Sequence, residues 1–389
     1  MSVYLDHAAT TPITQAAMDA YIEALTMVGN PSSVHAFGQS TRRLLEESRE
    51  KIADSLGANR AEVVFTSGGT ESNNLAIKGL FWQRNKDRHD RPIVVTAATE
   101  HHATLEPIEW LVANEGAELS LVPVDKSGLF DLNWLESYLE QEHSRIALVT
   151  LMWANNETGV INNLRAVTEM AAKWGIPVHS DAVAALGHTE ISFGGSGLAA
   201  MTITAHKVGG PVGIGALLVS RSTTLESLLQ GGGHERGFRS GTMNAAGAHA
   251  FAVATQQAVS KLPVHEESWR AIQKHLKSEI SARYPWATIA GSTEARLANN
   301  LNVLFHGCSG DSLLFLLDRA GVAVSNGSAC AAGVTSASHV LLAMGYSQQE
   351  ASGALRITFG FDTSKAEVDQ LLEALPSAVE AAKKAGFAS

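Results

Sequence analysis

Short apolar runs alternate with longer amphipathic stretches over the first 240 or so residues of the chain. The short runs have strand length and carry almost no charge, which is typical of strands buried on both faces of a sheet. Helix-period patterns lie between several of them, so we predict a mostly parallel sheet covered by helices on both faces. The predicted strands are residues 63–66, 93–96, 146–150, 177–180 and 201–204, and the predicted helices are residues 41–56, 71–83, 103–115 and 164–174.

The pattern changes in the last third of the chain. A chain of 389 residues is too long for one ordinary core, which favours two domains. We predict a large domain over residues 14–255 and a small α+β domain over residues 1–13 and 256–389. The elements expected in this region are helices at 243–261, 264–281, 311–320, 338–344 and 365–384 and a strand at 300–305.

Composition narrows the class of protein. Hydrophobic residues make up 45% and charged residues 17%, which suits a globular chain. The net charge of −10 makes direct binding to DNA or RNA a poor hypothesis, because an acidic chain gains nothing from counterion release. There is no signal-peptide pattern and no apolar run near the roughly 18 residues of a membrane span, so we expect a cytoplasmic protein without membrane contact. The two cysteines, Cys308 and Cys330, are too few for a disulfide scaffold.

Candidate chemistry follows the predicted strands, because ligands of open α/β sheets sit beyond the carboxyl ends of the strands. Residues 67–74 follow the first predicted strand and combine small residues with a helix start, which favours a phosphate site. A capped helix start with a tight turn is the alternative. His101 and His102 follow the strand at 93–96. They could act as ligands or catalysts, or be ordinary surface or core histidines, and no metal-ligand spacing accompanies them.

An acid and an amine occupy two further strand ends. Asp181 follows the strand at 177–180, and Lys207 follows the strand at 201–204. The carboxylate could hold a protonated pyridine nitrogen, and the lysine could form a Schiff base with an aldehyde cofactor. A helix-capping Asp181 and a solvated Lys207 explain the same spacing.

The small domain offers a thiol and a guanidinium. Small residues surround Cys330 over 325–333, and a thiol on an exposed loop is reactive where its thiolate is accessible. An incidental cysteine in a turn is the alternative, and we expect Cys308 to be structural. Arg356 would point off a strand and could clamp a carboxylate by two parallel hydrogen bonds, or be an ordinary surface residue.

Taken together, these segments resemble the cysteine desulfurases of the NifS/IscS type, within the class V aminotransferase family. The resemblance runs over nearly the whole chain and rests on many ordered motifs. The cysteine loop, at about residues 325–335, is similar to that of the group with a longer, mobile loop. The matching motifs are residues 4–12, 29–33, 65–74, 155–157, 206–207, 239–242 and 327–330.

The resemblance implies a fold, a reaction and partners. The fold would be the type I fold of pyridoxal 5'-phosphate (PLP) enzymes, as a homodimer with shared active sites. The reaction would convert L-cysteine to L-alanine and leave the sulfur as a persulfide on Cys330. Sulfur-acceptor proteins would then take it, either an iron–sulfur scaffold or a tRNA-thiolating enzyme.

The resemblance also implies roles for single residues. Lys207 would hold the cofactor and Asp181 would pair with its ring nitrogen, while His101 would stack on the ring and move protons. Asn156 would lie beside the ring and the substrate carboxylate, which Arg356 would hold. The implied phosphate ligands are Gly69, Thr70, Thr204, His206 and, from the other subunit, Thr242.

Two positions depart from the family pattern. Ala184 stands where the family usually has a Gln that donates a hydrogen bond to the phenolic oxygen of the cofactor. Loss of this hydrogen bond removes about 1 kcal/mol of interaction, and a water could take its place. Thr204-Ala205 replaces the usual Ser-Gly and keeps the hydroxyl. Two alternatives to a cysteine desulfurase remain: a selenocysteine lyase or other class V enzyme, and a weakly active homologue that acts as a sulfur-transfer scaffold. Ala184 is the only support for the scaffold.

Overall fold

The computed structural model describes residues 2–327 and 337–386. Its largest feature is a seven-stranded sheet with the spatial order β2-β8-β7-β6-β5-β3-β4. In this sheet β8 runs antiparallel to both neighbours, and the other strands run parallel to one another. The strands are β1 (Val3–Tyr4), β2 (Val63–Thr66), β3 (Ile93–Thr96), β4 (Glu118–Leu121), β5 (Ile146–Thr150), β6 (Val178–Asp181), β7 (Ala200–Thr204), β8 (Gly215–Val219), β9 (Thr288–Ile289), β10 (Asn300–Leu304), β11 (Val322–Ala323) and β12 (Ala354–Thr358).

Helices cover both faces of this sheet and continue into the C-terminal part of the chain. Short 3-10 turns occur at Arg60–Glu62 and Glu235–Gly237. The helices are α1 (Gln15–Leu25), α2 (Ala36–Ser55), α3 (Gly69–Asn85), α4 (His102–Glu115), α5 (Leu132–Glu142), α6 (Leu164–Ala172), α7 (Ala245–Ser260), α8 (Leu262–Arg283), α9 (Gly310–Arg319), α10 (His339–Ala343), α11 (Gln348–Ala351) and α12 (Lys365–Gly386).

The parallel sheet and all five predicted strands are confirmed, each within about one residue of its expected position. The strands β2, β3, β5, β6 and β7 are buried along their whole length, because helices cover the sheet on both sides. The sequence pattern missed β4, an edge strand whose residues are largely exposed and partly polar. An edge strand lacks the continuous apolar run that marked the central ones.

Two separate cores hold the molecule together. The first surrounds the seven-stranded sheet and includes α7 as far as Ala258. The second joins Val3 and Leu5 of the N-terminus to side chains from Leu262 to Ala382, and it contains the antiparallel sheet β12-β10-β9 and the pair β1-β11. The N-terminal residues therefore pack with the C-terminal part of the chain. The boundary at residue 255 stays a prediction.

Across residues 2–327 and 337–386, no helix combines the length and the apolar character needed to cross a bilayer.

Candidate active site

One cleft collects most of the residues singled out in the sequence. It encloses about 240 Å³ and opens at the carboxyl ends of the parallel strands, with part of its wall from the C-terminal part of the chain. The predicted site residues that line it are Gly69, Thr70, His101, Asn156, Asp181, Thr204, His206 and Lys207.

The start of α3 forms an anion-binding end of the cleft. Gly68 precedes the helix and makes no side-chain cap hydrogen bond, and Gly69 and Thr70 of the first turn line the cleft at the positive end of the helix dipole. A Cβ on Gly69 would lie 3.0 Å from the Val183 side chain, so the wall is tight at this point. Gly69 and Thr70 therefore suit a phosphate group.

Three further residues were expected around the phosphate. The Thr204 hydroxyl lies in the cleft wall and donates to the Ile214 carbonyl at 3.3 Å. The His206 ring lies 3.2 Å from the Thr10 hydroxyl, and burial together with the Lys207 charge lowers the pKa of His206 to about 4, so its ring is neutral. Thr242 is exposed and does not line the cleft of the single chain, so its role across a dimer stays a prediction.

Asp181 is fixed in place at the end of β6. One carboxylate oxygen accepts from the Val183 amide at 2.9 Å, and the other accepts from the Asn73 side chain at 2.7 Å. The residue is only 8% exposed, so the carboxylate is held rigidly at the cleft wall. Asn73 was missed as a site residue, although it lies in the motif at 65–74. Only the fold brings the N-terminal part of α3 against β6.

The side chain of Lys207 lines the cleft, and its amine has a lowered pKa. Its amine donates to the Ala9 carbonyl at 2.7 Å and to the Ala8 carbonyl. Burial and the nearby Arg356 lower the pKa of Lys207 to about 8, and Asp6 and Asp181 only partly oppose this shift. A substantial fraction of the amine is therefore neutral near physiological pH, as a nucleophile or a base requires.

The imidazole of His101 is oriented by the helix that it begins. Its Nδ1 accepts from the Ala103 amide at 3.0 Å as the N-cap of α4, so the neutral ring carries its proton on Nε2. Desolvation by the surrounding protein lowers the pKa of His101, although the residue is accessible at the cleft mouth. The charge of Asp181 partly opposes this shift, and the charge of Lys207 lowers the pKa further. The neighbouring Glu100 is fully buried, and burial raises its pKa well above the usual value.

Arg356 is buried beside the cleft and already has partners. Its guanidinium donates to Asp6 at 2.7 Å and to the Asn156 carbonyl at 3.2 Å, while its Nε has no hydrogen-bond partner within the described residues. It does not itself line the cleft. Its contact with a substrate carboxylate stays a prediction, with Asn156 as the intervening wall residue.

The two cysteines differ in what the structure describes. Cys308 is buried with its sulfur 3.8 Å from the Val379 carbonyl, and burial raises its pKa, as expected of a structural thiol. Cys330 lies outside the described residues. The nearest described positions on either side of its segment are Gly327 and Ala337.

Several cleft residues gave no separate signal in the sequence. His7 and Ala8 belong to the N-terminal motif, and Asn299, Asn300 and Thr358 come from the second core, so only the tertiary structure brings them to the cleft. Ala184, the position that departs from the expected family pattern, also lines it. Within the part of the chain that the structure describes, no three His, Cys, Asp or Glu side chains converge in a way that could hold a metal ion.

The cleft fits PLP in its chemistry. A helix N-terminus can take the phosphate, the fixed Asp181 can take a protonated ring nitrogen, and the amine of Lys207 can take the aldehyde. The buried Asn73, which lines the same wall, keeps an unpartnered side-chain oxygen among the described residues. Fold and cleft together define a transferase of the type I PLP class.

Comparison with known proteins narrows this class. The family model described as Aminotransferase class-V matches residues 3–371, and the chain belongs to this family and, within it, to the NifS/IscS-type cysteine desulfurases. An IscS-like cysteine desulfurase from Mycobacterium tuberculosis is 45% identical over 387 residues, covering 99% of this chain and 98% of the relative.

Solved structures agree with this placement. A NifS-like protein superposes with a TM-score of 0.88 at 32% identity, covering 98% of this chain and 99% of the other. A structure described as SspA in complex with cysteine superposes with a TM-score of 0.78 at 29% identity, covering 92% and 99% of the two chains.

Proposed function

We propose that this protein converts L-cysteine to L-alanine and retains the sulfur as a persulfide on Cys330. The observation that carries the proposal is Lys207, a buried amine with a pKa of about 8, in the same cleft as a fixed carboxylate. The relatives named above, among them one described in complex with cysteine, favour this substrate.

The residues divide the work of cofactor binding and proton transfer. PLP, when bound, supplies the electron sink for the pair left at Cα after its proton is removed. Asp181 stabilises positive charge on the ring nitrogen, and the α3 N-terminus with Gly69 and Thr70 binds the phosphate. The neutral amine of Lys207 accepts the Cα proton, because its low pKa matches the working pH.

The sulfur step belongs to Cys330. Its thiolate forms the new S–S bond with the substrate sulfur, while the Cβ–S bond of the substrate breaks and the electron pair stays with carbon. A proton then completes the methyl group of alanine, so one cysteine and one enzyme thiol give one alanine and one persulfide. His101 would move protons in this step, and its N-cap contact with the Ala103 amide, which leaves the proton of the neutral ring on Nε2, supports this role.

Partners and assembly extend the proposal. We infer a homodimer, in which Thr242 of each chain reaches the phosphate site of the other, and a sulfur-acceptor protein that receives the persulfide. An iron–sulfur scaffold and a tRNA-thiolating enzyme both fit this chemistry. Direct nucleic-acid binding is not part of the proposal, and the cytoplasmic location stays a prediction.

An assay of the purified, PLP-loaded protein tests the function. With L-cysteine and a thiol reductant we expect alanine and sulfide in equal amounts, and borohydride should fix the cofactor to Lys207, as peptide mass spectrometry would show. Cys330→Ala should keep the cofactor absorbance and lose sulfide release. A full desulfuration rate in Cys330→Ala would refute the persulfide step, and activity on selenocysteine alone would favour a lyase.

A further inference from the structure

A buried carboxyl group lies where the Cys330 segment joins the rest of the fold. Glu157 follows β5 in the turn that also carries Asn156, and it is only 2% exposed. Its amide donates to the Asn155 side chain at 2.9 Å, and its carbonyl accepts from Asn302 of β10 at 3.2 Å. The backbone of Glu157 is therefore fixed between the two cores by these contacts alone, without any contribution from the side chain.

The side chain of Glu157 contacts the chain on both sides of the segment. Its Oε2 accepts a hydrogen bond from the Ser338 hydroxyl. The same oxygen approaches Gly327 so closely that a Cβ there would lie 2.8 Å away, and Gly327 has a φ of +83° that favours glycine. One carboxyl oxygen thus packs against the position before residues 328–336 and accepts a hydrogen bond from a residue just after them.

The hydroxyl of Ser338 has one proton to donate, and its other hydrogen bond determines where that proton goes. As the N-cap of α10, its hydroxyl oxygen accepts from the Leu341 amide at 3.2 Å. Its own proton is then directed to Glu157, so the carboxyl oxygen fixes the start of α10. The adjacent His339 donates from its Nε2 to the Glu100 carbonyl at 2.8 Å, which holds the same helix start a second time.

The position before the segment is held by the strand beside the cleft. Ser325 exchanges backbone hydrogen bonds with Arg356 of β12, and the Arg356 side chain donates to the Asn156 carbonyl. Cys330 is three residues beyond Gly327, and three residues of chain span at most about 11 Å. A shift of Gly327 would therefore shift the point from which the segment with Cys330 begins.

We propose that Glu157 is a positioning residue for sulfur transfer, which acts by holding Gly327 and Ser338 together at the two ends of the Cys330 segment. This inference rests on the proposed function, in which Cys330 attacks the substrate sulfur. Glu157 serves that step and not cofactor binding or removal of the Cα proton, because its side chain contacts the segment ends and does not line the cleft.

Single-turnover mixing of the PLP-loaded protein with L-cysteine separates the two halves of the reaction. The absorbance change of the cofactor follows its reaction with cysteine, and trapping followed by mass spectrometry follows the persulfide on Cys330. In Glu157→Ala we expect the absorbance step to stay within about twofold and persulfide formation to slow about tenfold or more, because small misplacements of a reacting group cost large factors in rate. Glu157→Gln keeps an acceptor oxygen and should recover most of the rate.

Matched controls come from a second Ser–Glu pair. Ser347 caps α11 and donates to Glu350 at 2.8 Å, in an exposed position that does not contact Gly327 or Ser338. Glu350→Ala and Ser347→Ala should leave both steps unchanged. If Glu157→Ala does not fold, Ser338→Ala compared with Ser347→Ala gives the same test, because both lose an N-cap and only one loses the contact with Glu157.

The outcomes distinguish the inference from the function that it rests on. Wild-type persulfide rates in Glu157→Ala and Ser338→Ala would overturn the positioning role and leave the desulfurase function intact. A parallel loss of the absorbance step would also overturn it, since Glu157 would then act on cofactor chemistry. Wild-type protein that forms neither alanine nor persulfide would instead contradict the proposed function.

Discussion

Burial sets the protonation of the side chains around the cleft. Burial lowers the pKa of Lys207 to about 8, so part of its amine is neutral near physiological pH, and His206 and His101 stay neutral because burial disfavours their charged forms. Burial shifts the pKa of a carboxyl group in the opposite direction. It raises the pKa of Glu157 to about 7, although the contact with Ser338 and the nearby Arg356 charge both lower it. Lys207 and Glu157 are thus the shifted groups whose pKa values lie near working pH, whereas His206 stays neutral there.

The pH dependence of cofactor capture tests the shifted lysine. Only the neutral amine forms a bond with an aldehyde, so the rate at which cofactor-free protein captures PLP should rise with pH and level off above about 8, the pKa given by burial and Arg356. The measurement is the borohydride-reducible adduct at Lys207 as a function of pH, with Lys207→Arg as the control that captures none. A rate that keeps rising to about pH 10 would indicate an unshifted lysine.

Helix starts and strand ends provide most of the cleft at the scale of elements. The N-terminus of α3 supplies amide groups, the N-cap of α4 supplies His101, and the end of β6 supplies Asp181. These parts meet because parallel strands place their carboxyl ends at one edge of the sheet. A single hydrogen bond, from Asn73 of α3 to Asp181 of β6, ties two of these elements together.

Removal of that hydrogen bond should weaken cofactor binding. Asn73→Ala leaves one oxygen of Asp181 without its partner, so the carboxylate loses its fixed orientation, and we expect the dissociation constant of PLP to rise about tenfold, the effect of a charge-assisted hydrogen bond. Fluorescence or absorbance titration of cofactor-free protein measures it. Asn114→Ala is the control, because Asn114 only bonds the Trp110 carbonyl of its own exposed helix. Equal affinities for both variants would contradict the role of Asn73.

A buried ion pair joins distant parts of the whole molecule. Arg49 of α2 forms two hydrogen bonds of 2.7 Å with Glu235, and Glu235 also accepts from the Phe65 amide at 2.8 Å. Glu235 and Arg236 both have positive φ, a conformation that is uncommon outside glycine. The pair therefore holds the turn at 235–237 against the strand that leads to the phosphate end of the cleft.

Loss of one partner should destabilise the fold strongly. Arg49→Ala leaves a buried Glu235 charge unpaired, so we expect the free energy of unfolding to fall by about 3–5 kcal/mol. Arg165→Ala, which removes an exposed pair with Glu169, should change it by less than about 1 kcal/mol. Denaturant unfolding monitored by circular dichroism compares the two variants. Similar small losses in both would show that the Arg49–Glu235 pair is not a structural tie.

The accuracy of the sequence interpretation followed the strength of each local signal. Central strands such as β2 and β5 were located closely, because burial on both faces requires an apolar residue at every position. The eight predicted residues that line the cleft lie at or just after strand ends, or within the matched family motifs. Asn73 and Glu157 were not recognised as anchors, because their partners Asp181 and Ser338 lie far away along the chain.

The sequence by itself determined the α/β architecture, the family and the chemical groups of the cleft, because hydrophobic period and ordered motifs are local properties of the chain. The tertiary structure decided which groups are buried and which polar atoms meet. It brought Asp181 against Asn73, lowered the pKa of Lys207 by burial, and placed Glu157 between Gly327 and Ser338. Desolvation and long-range contacts depend on residues distant in sequence, so they exist only once the chain has folded.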